Sequence, residues 1–294
     1  MAGARIVSVH RADVLPGSPA AMDRIRFVRL SEALARQGHH VDMVLAGRDG
    51  ATVVGPGLRE IGSRDVDWDA YDLVITFFHR AIEALIAAGG GDHRFIVSDL
   101  GSVVGPEPSP GVYFFGPVRD ELWAAQLEMV RRCRAVVILT EQSAALWRAS
   151  HGPTPPIVLV PTGVDADIPP LGPNPYAAAG ITRPVVLFAG NLYANDRQGE
   201  VNLVWQDRLN RLGRALRTRG LELVAMGTGD IDRLDPSAVT HVGEVDYRDF
   251  WQWQRHAAVG VVLAHGPVQD NESSKIYYEL RAGLPVICER PVPN

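Results

Sequence analysis

The feature that most constrains the fold is a strand–helix–strand run at the amino end. Arg5 to Val9 reads as a buried strand. An amphipathic helix is predicted over 22–37, with Ile25, Val28, Leu30, Ala33 and Leu34 on its apolar face. Gly38-His39-His40 ends that helix, and Val41 to Leu45 is the next strand. Such a unit strongly favours parallel pairing with a right-handed crossover. Further strands are predicted at 72–76, 95–98, 135–140 and 157–160, with helices at 120–133 and 141–151. A proline-rich linker, Pro169 to Pro175, then interrupts the pattern. The alternation restarts at Pro184, with helices at 205–219, 248–256 and 275–282 and strands at 221–226, 240–245, 259–263 and from 286. The prediction is an α/β protein with two Rossmann-like domains, 1–165 and 166–294, and 294 residues are enough for two cores.

Charge and cysteine usage exclude some function classes. With 29 basic and 34 acidic residues the net charge is −5, which argues against nonspecific nucleic-acid binding. Cys133 and Cys288 have no metal-type or redox-type partner at short spacing. Both lie in or beside apolar runs, so they read as buried free thiols suited to a reducing cytoplasm. No apolar run reaches the length of a membrane span. Peripheral membrane contact through the first domain stays open. No Gly-x-Gly-x-x-Gly follows the first strand, which argues against a dinucleotide oxidoreductase.

The stretch most suggestive of chemistry is Asp270 to Cys288. Asp270-Asn271-Glu272-Ser273-Ser274 can cap a helix, Lys275 to Ala282 forms it, and Gly283-Leu284-Pro285 stops it. Ile276, Tyr277 and Leu280 are expected on its apolar face. A helix start leaves about four N–H groups unpartnered and carries roughly half a positive charge. It can therefore hold a diphosphate, with Lys275 adding a formal charge.

The run Ser273 to Ile287, with its Ala282-Gly283-Leu284-Pro285-Val286, resembles the donor-binding segment of GT-B-fold glycosyltransferases. The closest resemblance is to the retaining family known as glycosyltransferase family 4 or group 1. Three further segments carry the likeness. They are Gly38-His39-His40-Val41, the turn Pro161-Thr162-Gly163-Val164-Asp165 at the family's domain junction, and Pro184 to Leu192 with its glycine loop. The family has two acidic residues eight positions apart. Alignment from Gly283 puts Asp270 at the first and Tyr278 at the second, with Glu272 and Glu279 close by but out of step. A one-residue local shift would bring Glu279 into play. The family's basic residue near the glycine loop is missing at Asn191 and Leu192, and Arg197 is the substitute the sequence offers.

The resemblance implies two Rossmann-like domains facing a cleft, with a C-terminal end shorter than in relatives. It implies transfer of a sugar from a nucleotide-sugar to a glycan, lipid-linked or small-molecule acceptor, with retention, in a cell-surface polysaccharide or glycolipid pathway. Asp270, Lys275 and Arg197 would act on the reacting centre. Gly190, Asn191, Val242, Gly243, Glu272, Ser273, Ser274, Tyr278 and Glu279 would bind the donor. Pro16, Gly17, His79, Asp99 and Ser102, in loops after strands, would face the acceptor. No metal and no cofactor are expected, the nucleotide-sugar being a substrate. The alternatives are a non-catalytic nucleotide-binding or scaffold subunit and a nucleotide-sugar epimerase.

Overall fold

A computed structural model describes residues 3–10, 22–45, 49–78, 80–101, 103–106, 116–152, 155–164, 167–190, 192, 200–229, 231–263 and 274–289. The chain divides into two compact units, one built on Met1–Ser109 with Gly116–Pro161 and one on Thr162–Asn294. The division falls at the start of the Pro161–Asp165 turn, earlier than the expected boundary after residue 165.

In the first unit, strand β1 (Arg5–Val9), helix α1 (Met22–Arg36) and strand β2 (His40–Leu45) form the anticipated unit. β1 and β2 pair in parallel, Ile6 opposite Val41 and Val9 opposite Val44. His39 ends the helix, its Nδ1 accepting from the Ala4 N–H at 3.1 Å. Next come β3 (Ala51–Gly55), β4 (Leu58–Gly62), β5 (Leu73–Phe77), α2 (Ala81–Ala87) and β6 (Ile96–Asp99). The unit ends with α3 (Gly116–Arg132), β7 (Ala135–Ile138), α4 (Glu141–His151) and β8 (Ile157–Leu159). The 8-stranded sheet runs β3-β4-β2-β1-β5-β6-β7-β8 and is parallel except for the β3–β4 hairpin.

Both faces of this sheet are covered, which is why its central strands are continuous apolar runs. Val7, Val9, Val74, Ile96 and Val136 pack with Leu85, Met129 and Trp147 on one side. Ile6, Val41, Met43 and Phe77 pack with Phe27 on the other. Thr140 caps α4 by accepting from the Ser143 N–H. The β3–β4 hairpin is absent from the sequence prediction. β3 is nearly all exposed, with Val53 at 73%, so it carries no buried alternation to read. Gly57, at φ 71°, lets the hairpin close over His39, whose carbonyl oxygen would lie 2.8 Å from any Cβ there.

Because β2 is covered on both sides, Asp42 within it must be paired. Arg59 of β4 supplies a fork, Nε to Oδ1 at 2.7 Å and a terminal nitrogen to Oδ2 at 2.5 Å. The buried Tyr71 hydroxyl donates to Oδ2 at 2.6 Å. Burial would raise the Asp42 carboxyl, but the Arg59 and Tyr71 hydrogen bonds outweigh it and hold it below its usual range.

The second unit comprises α5 (Pro175–Ala178), β9 (Val185–Ala189), α6 (Glu200–Arg217), β10 (Glu222–Met226) and β11 (Val239–His241). It continues with α7 (Tyr247–His256), β12 (Val259–Val262), α8 (Ser274–Arg281) and β13 (Val286–Cys288). Its 5-stranded sheet runs β11-β10-β9-β12-β13, parallel throughout. Trp205 and Leu209 of α6 pack on Phe188, Leu223 and Val261. Tyr176, Leu187, Val224 and Met226 pack with Phe250 and Trp253 on the opposite face. Trp253 meets Tyr176 edge-on at 5.0 Å and Trp251 is buried, so both are packing residues.

The expected face of α8 is corrected. Ile276 is buried, but Leu280 is 62% exposed, while Tyr278 and Glu279 are buried instead. The inward side carries a polar pair, Lys275 and Glu279, one turn apart, and a count of apolar residues cannot place it. Cys133 is buried, Cys288 is half-buried, and both are free. Among the described residues no helix is long and apolar enough to cross a membrane.

Replacing Asp42 by Ala leaves the buried Tyr71 hydroxyl without its acceptor and Arg59 without its partner. We expect a loss of about 1–3 kcal/mol in urea unfolding at neutral pH. Because the native carboxyl is held low, its stabilisation is present above its unfolded pKa. The wild-type advantage over Asp42→Ala therefore disappears as the solution is acidified below the usual Asp range.

Candidate functional site

Open parallel sheets bind ligands outside the carboxyl ends of strands where the strand order reverses. In the first unit that point lies between β1 and β5, and in the second between β9 and β12. Gly190 follows β9 directly, and α8 follows β12. Both belong to the second unit's reversal point.

The rim there is laced together by backbone. The Gly190 N–H donates to the Met226 carbonyl at 2.9 Å, and the Gly227 N–H to the Gly243 carbonyl at 2.8 Å. Gly227 adopts φ 132°, and a Cβ on it would stand 2.2 Å from the Gly190 oxygen, so only glycine permits this approach. The Val242 N–H donates to the Ala225 carbonyl at 3.0 Å, which sets the half-buried Val242 and Gly243 at the end of β11.

Lys275 lies across this rim. A Cβ on Gly190 would be 2.5 Å from Lys275 Cε and 3.1 Å from Nζ, so the lysine stem occupies the space that glycine leaves. Its Nζ is 6.0 Å from the centre of the Trp205 ring. One turn further along α8, Glu279 is fully buried, and neither carboxylate oxygen has a hydrogen-bond partner among the described residues. Its carboxyl rests on Gly260 of β12, where a Cβ would come within 2.7 Å of Cδ and Oε1. Burial pushes the Glu279 carboxyl up to about 7, with Lys275 pulling the other way. Desolvation pulls the Lys275 ammonium below its ordinary value, and Glu279 opposes that. Tyr278 is 5% exposed, with its ring 6.3 Å from that of Phe250 on α7. α8 is regular from Ser274 to Arg281. Tyr278 therefore turns to the neighbouring helix and Glu279 to the sheet.

In the first unit Asp99 ends β6 and is 3% exposed. Arg26 of α1 engages both its oxygens, Nε to Oδ2 at 2.6 Å and a terminal nitrogen to Oδ1 at 3.2 Å. The same guanidinium donates to the carbonyls of Val160 at 3.0 Å and Pro161 at 3.3 Å. Burial pushes the Asp99 carboxyl up, and Arg26 opposes it. In sequence Arg26, like Arg24, reads either as facing the cleft or, more ordinarily, as a solvated helix position. The structure corrects it to a buried ion pair, for which β6 and the segment after β8 supply the partners.

Of the other sequence candidates, Pro16, Gly17, His79, Ser102, Asn191, Arg197, Asp270, Glu272 and Ser273 lie outside the described residues. Ser274 opens α8, and its side chain is likewise outside them. Lys275, Gly190 and Glu279 are brought together, and Val242 and Gly243 share the strand-end rim. Gly260 and Trp205 escape a sequence reading. A glycine inside a buried strand is the signal that marks the first. Among the described residues no group of three or more His, Cys, Asp or Glu could hold a metal ion.

No protein-family model and no curated protein matches the chain. Solved structures do. Sucrose-phosphate synthase from Thermosynechococcus elongatus matches with TM-score 0.68 at 17% identity, covering 97% of this chain and 81% of its own. HepE of Anabaena, crystallised with UDP and glucose, matches with TM-score 0.66 at 13% identity over 97% and 80%. WaaG, a glycosyltransferase involved in lipopolysaccharide biosynthesis, matches with TM-score 0.63 at 14% identity over 97% and 80%. The chain has the fold of GT-B glycosyltransferases, as its resemblance to the retaining family implied.

Two outcomes follow from the buried charges. Arg26→Met leaves Asp99 buried and unpaired and should cost about 3–5 kcal/mol in urea unfolding, whereas Arg26→Met with Asp99→Leu should recover most of it. The Glu279 carboxyl is raised from 4.5 to about 7 on folding. Its contribution is complete below the unfolded value and is lost as pH rises to the folded one, roughly 3 kcal/mol in total. Urea unfolding of wild type and Glu279→Gln across that range should show this loss in the wild type alone.

Proposed function

We propose that the protein is a glycosyltransferase that moves a sugar from a nucleotide-sugar to an acceptor hydroxyl with retention. The observation that carries this reading is Lys275 stretched over Gly190 at the strand-order reversal of the second unit, within a GT-B fold. The family's cation near the glycine loop is missing at Asn191 and Leu192. The lysine of α8 occupies the place where such a charge is needed.

The physical task is to stabilise negative charge on the departing diphosphate. Lys275 does so with a half-buried charge already in place, together with the first N–H groups of α8. The bond from the anomeric carbon to the diphosphate oxygen breaks, and the bond to the acceptor oxygen forms. The acceptor proton passes to the leaving phosphate. Asp270 grips the sugar hydroxyls and orients the donor. Arg197 and the loop of Asn191 line the donor's path, Glu272, Ser273 and Ser274 bind at the helix start, and Val242 and Gly243 flank the base. Pro16, Gly17, His79 and Ser102 face the acceptor. Asp99 supports that side through Arg26. HepE is described with UDP and glucose, so a UDP-sugar is the first donor to try.

A second reading is a nucleotide-binding subunit without turnover. It is favoured by Tyr278, which replaces the family's acid and packs on Phe250.

A thermal-shift and calorimetric panel of UDP, GDP, ADP, dTDP and their glucose conjugates tests the proposal. One nucleotide-sugar should bind, and Lys275→Ala should weaken it by roughly 10–100-fold, as expected for a charged hydrogen bond of about 1.5–3 kcal/mol. Asp270→Ala should erase the advantage of the sugar conjugate over the bare nucleotide. Binding with no transfer to any acceptor pool would favour the second reading, and no binding at millimolar ligand would sink both.

A further inference from the structure

We propose that Glu279 is a positioning residue of the donor site that acts through Lys275, setting, by gain or loss of one proton, how much positive charge the lysine beside Gly190 offers a diphosphate. This rests on the donor-site reading above and adds to it a regulator that touches no ligand.

The geometry makes Glu279 hard to explain otherwise. A fully buried carboxylate with neither oxygen hydrogen-bonded among the described residues is costly, and an apolar residue would serve the fold better. Gly260 of β12 leaves the space the carboxyl group fills, since a Cβ there would lie 2.7 Å from Cδ and Oε1 and the carboxyl would have to move. Among the described residues, the charged group that acts on it is Lys275, one turn earlier on the same inward face. Among the described residues, the elements around the pair add little else: α6, whose Trp205 ring faces Lys275, carries Arg208, which is ion-paired with Glu289 after β13. β12 (Val259–Val262) and β9 (Val185–Ala189) contain no titratable side chain. β13 offers Cys288, whose thiol is raised by desolvation and by Glu279. α7 meets α8 through Phe250 and the phenol of Tyr278, and its Asp249, Arg255 and His256 do not shift Glu279.

Two charge states follow. With Glu279 ionised, the pair is neutral and the lysine is already compensated. With Glu279 protonated, the lysine carries an unbalanced positive charge. A diphosphate placed beside Lys275 becomes its counterion in place of the carboxylate, and Glu279 takes one proton from solvent. Binding of the donor is thereby coupled to proton uptake, and departure of the nucleotide returns the proton. The carboxyl titrates at about 7, so the exchange operates near neutrality.

The test uses UDP-, GDP-, ADP- and dTDP-glucose, whose doubly esterified diphosphates keep a fixed charge across the range. The best binder is titrated calorimetrically from about pH 6 to about pH 8.5, in two buffers of different ionisation enthalpy. Wild type should lose affinity as pH rises, by up to roughly tenfold per pH unit, with uptake approaching one proton per ligand. Glu279→Gln should bind as wild type does at low pH, with neither the slope nor the uptake. Lys275→Ala should bind weakly at every pH. A flat wild-type affinity without proton uptake overturns the proposal while leaving the donor site intact, and so does a slope that survives in Glu279→Gln. Should that variant fail to fold, the wild-type proton count decides alone. If none of the four conjugates binds wild type at either end of the range, the donor-site reading falls, and this proposal with it.

Discussion

The first unit depends on one ion pair. Arg26 reaches from α1 to Asp99 at the end of β6 and to the carbonyls of Val160 and Pro161 after β8. A buried guanidinium is tolerable only when its donors are used, and here a carboxylate and two carbonyls use them. One side chain thus ties a helix, the end of a strand and the last residues of the unit together. Bidentate geometry fixes Asp99 in a single orientation, and lysine could not reproduce that. Any group held by the loop after β6 inherits its position from this contact.

The second unit solves a different problem, that of bringing a cation to a crowded backbone edge. Gly227 allows the strand ends to approach one another closely enough to hydrogen-bond, since a Cβ there would stand 2.2 Å from the Gly190 oxygen. Among the described residues, the glycines of that rim carry no charge of their own. The charge is therefore delivered from α8, a separate element, by the length of a lysine. The lysine stem lies over glycine and its ammonium approaches the Trp205 ring, an arrangement that suits a side chain with an apolar body and a charged tip.

Much of this fold is legible in sequence because parallel strands are buried on both faces and announce themselves as apolar runs. β1, β2, β9 and β10 lie close to where the residues predict them. β3 and β4 are not legible, since one is exposed and the other spends Arg59 on a partner in β2. Arg26 illustrates a different limit. Nothing within α1 distinguishes a buried arginine from a solvated one, because its partners come from β6 and from the segment after β8. Lys275 is identifiable from its place at a helix start. The burial of Glu279 is not, because local spacing favours Leu280 as the inward residue and the deciding fact is a glycine on another strand.

The fit of Glu279 against Gly260 has a consequence for how the sequence can drift. The two positions share one volume, so neither is free to change alone. A side chain at 260 evicts the carboxyl group, and a small apolar residue at 279 leaves a void over the glycine. Lineages that keep glycine in this strand should keep a long side chain at 279, and lineages that fill the strand should carry a small residue there. The pairing would be visible as linked substitution between two elements that look unrelated in the linear sequence.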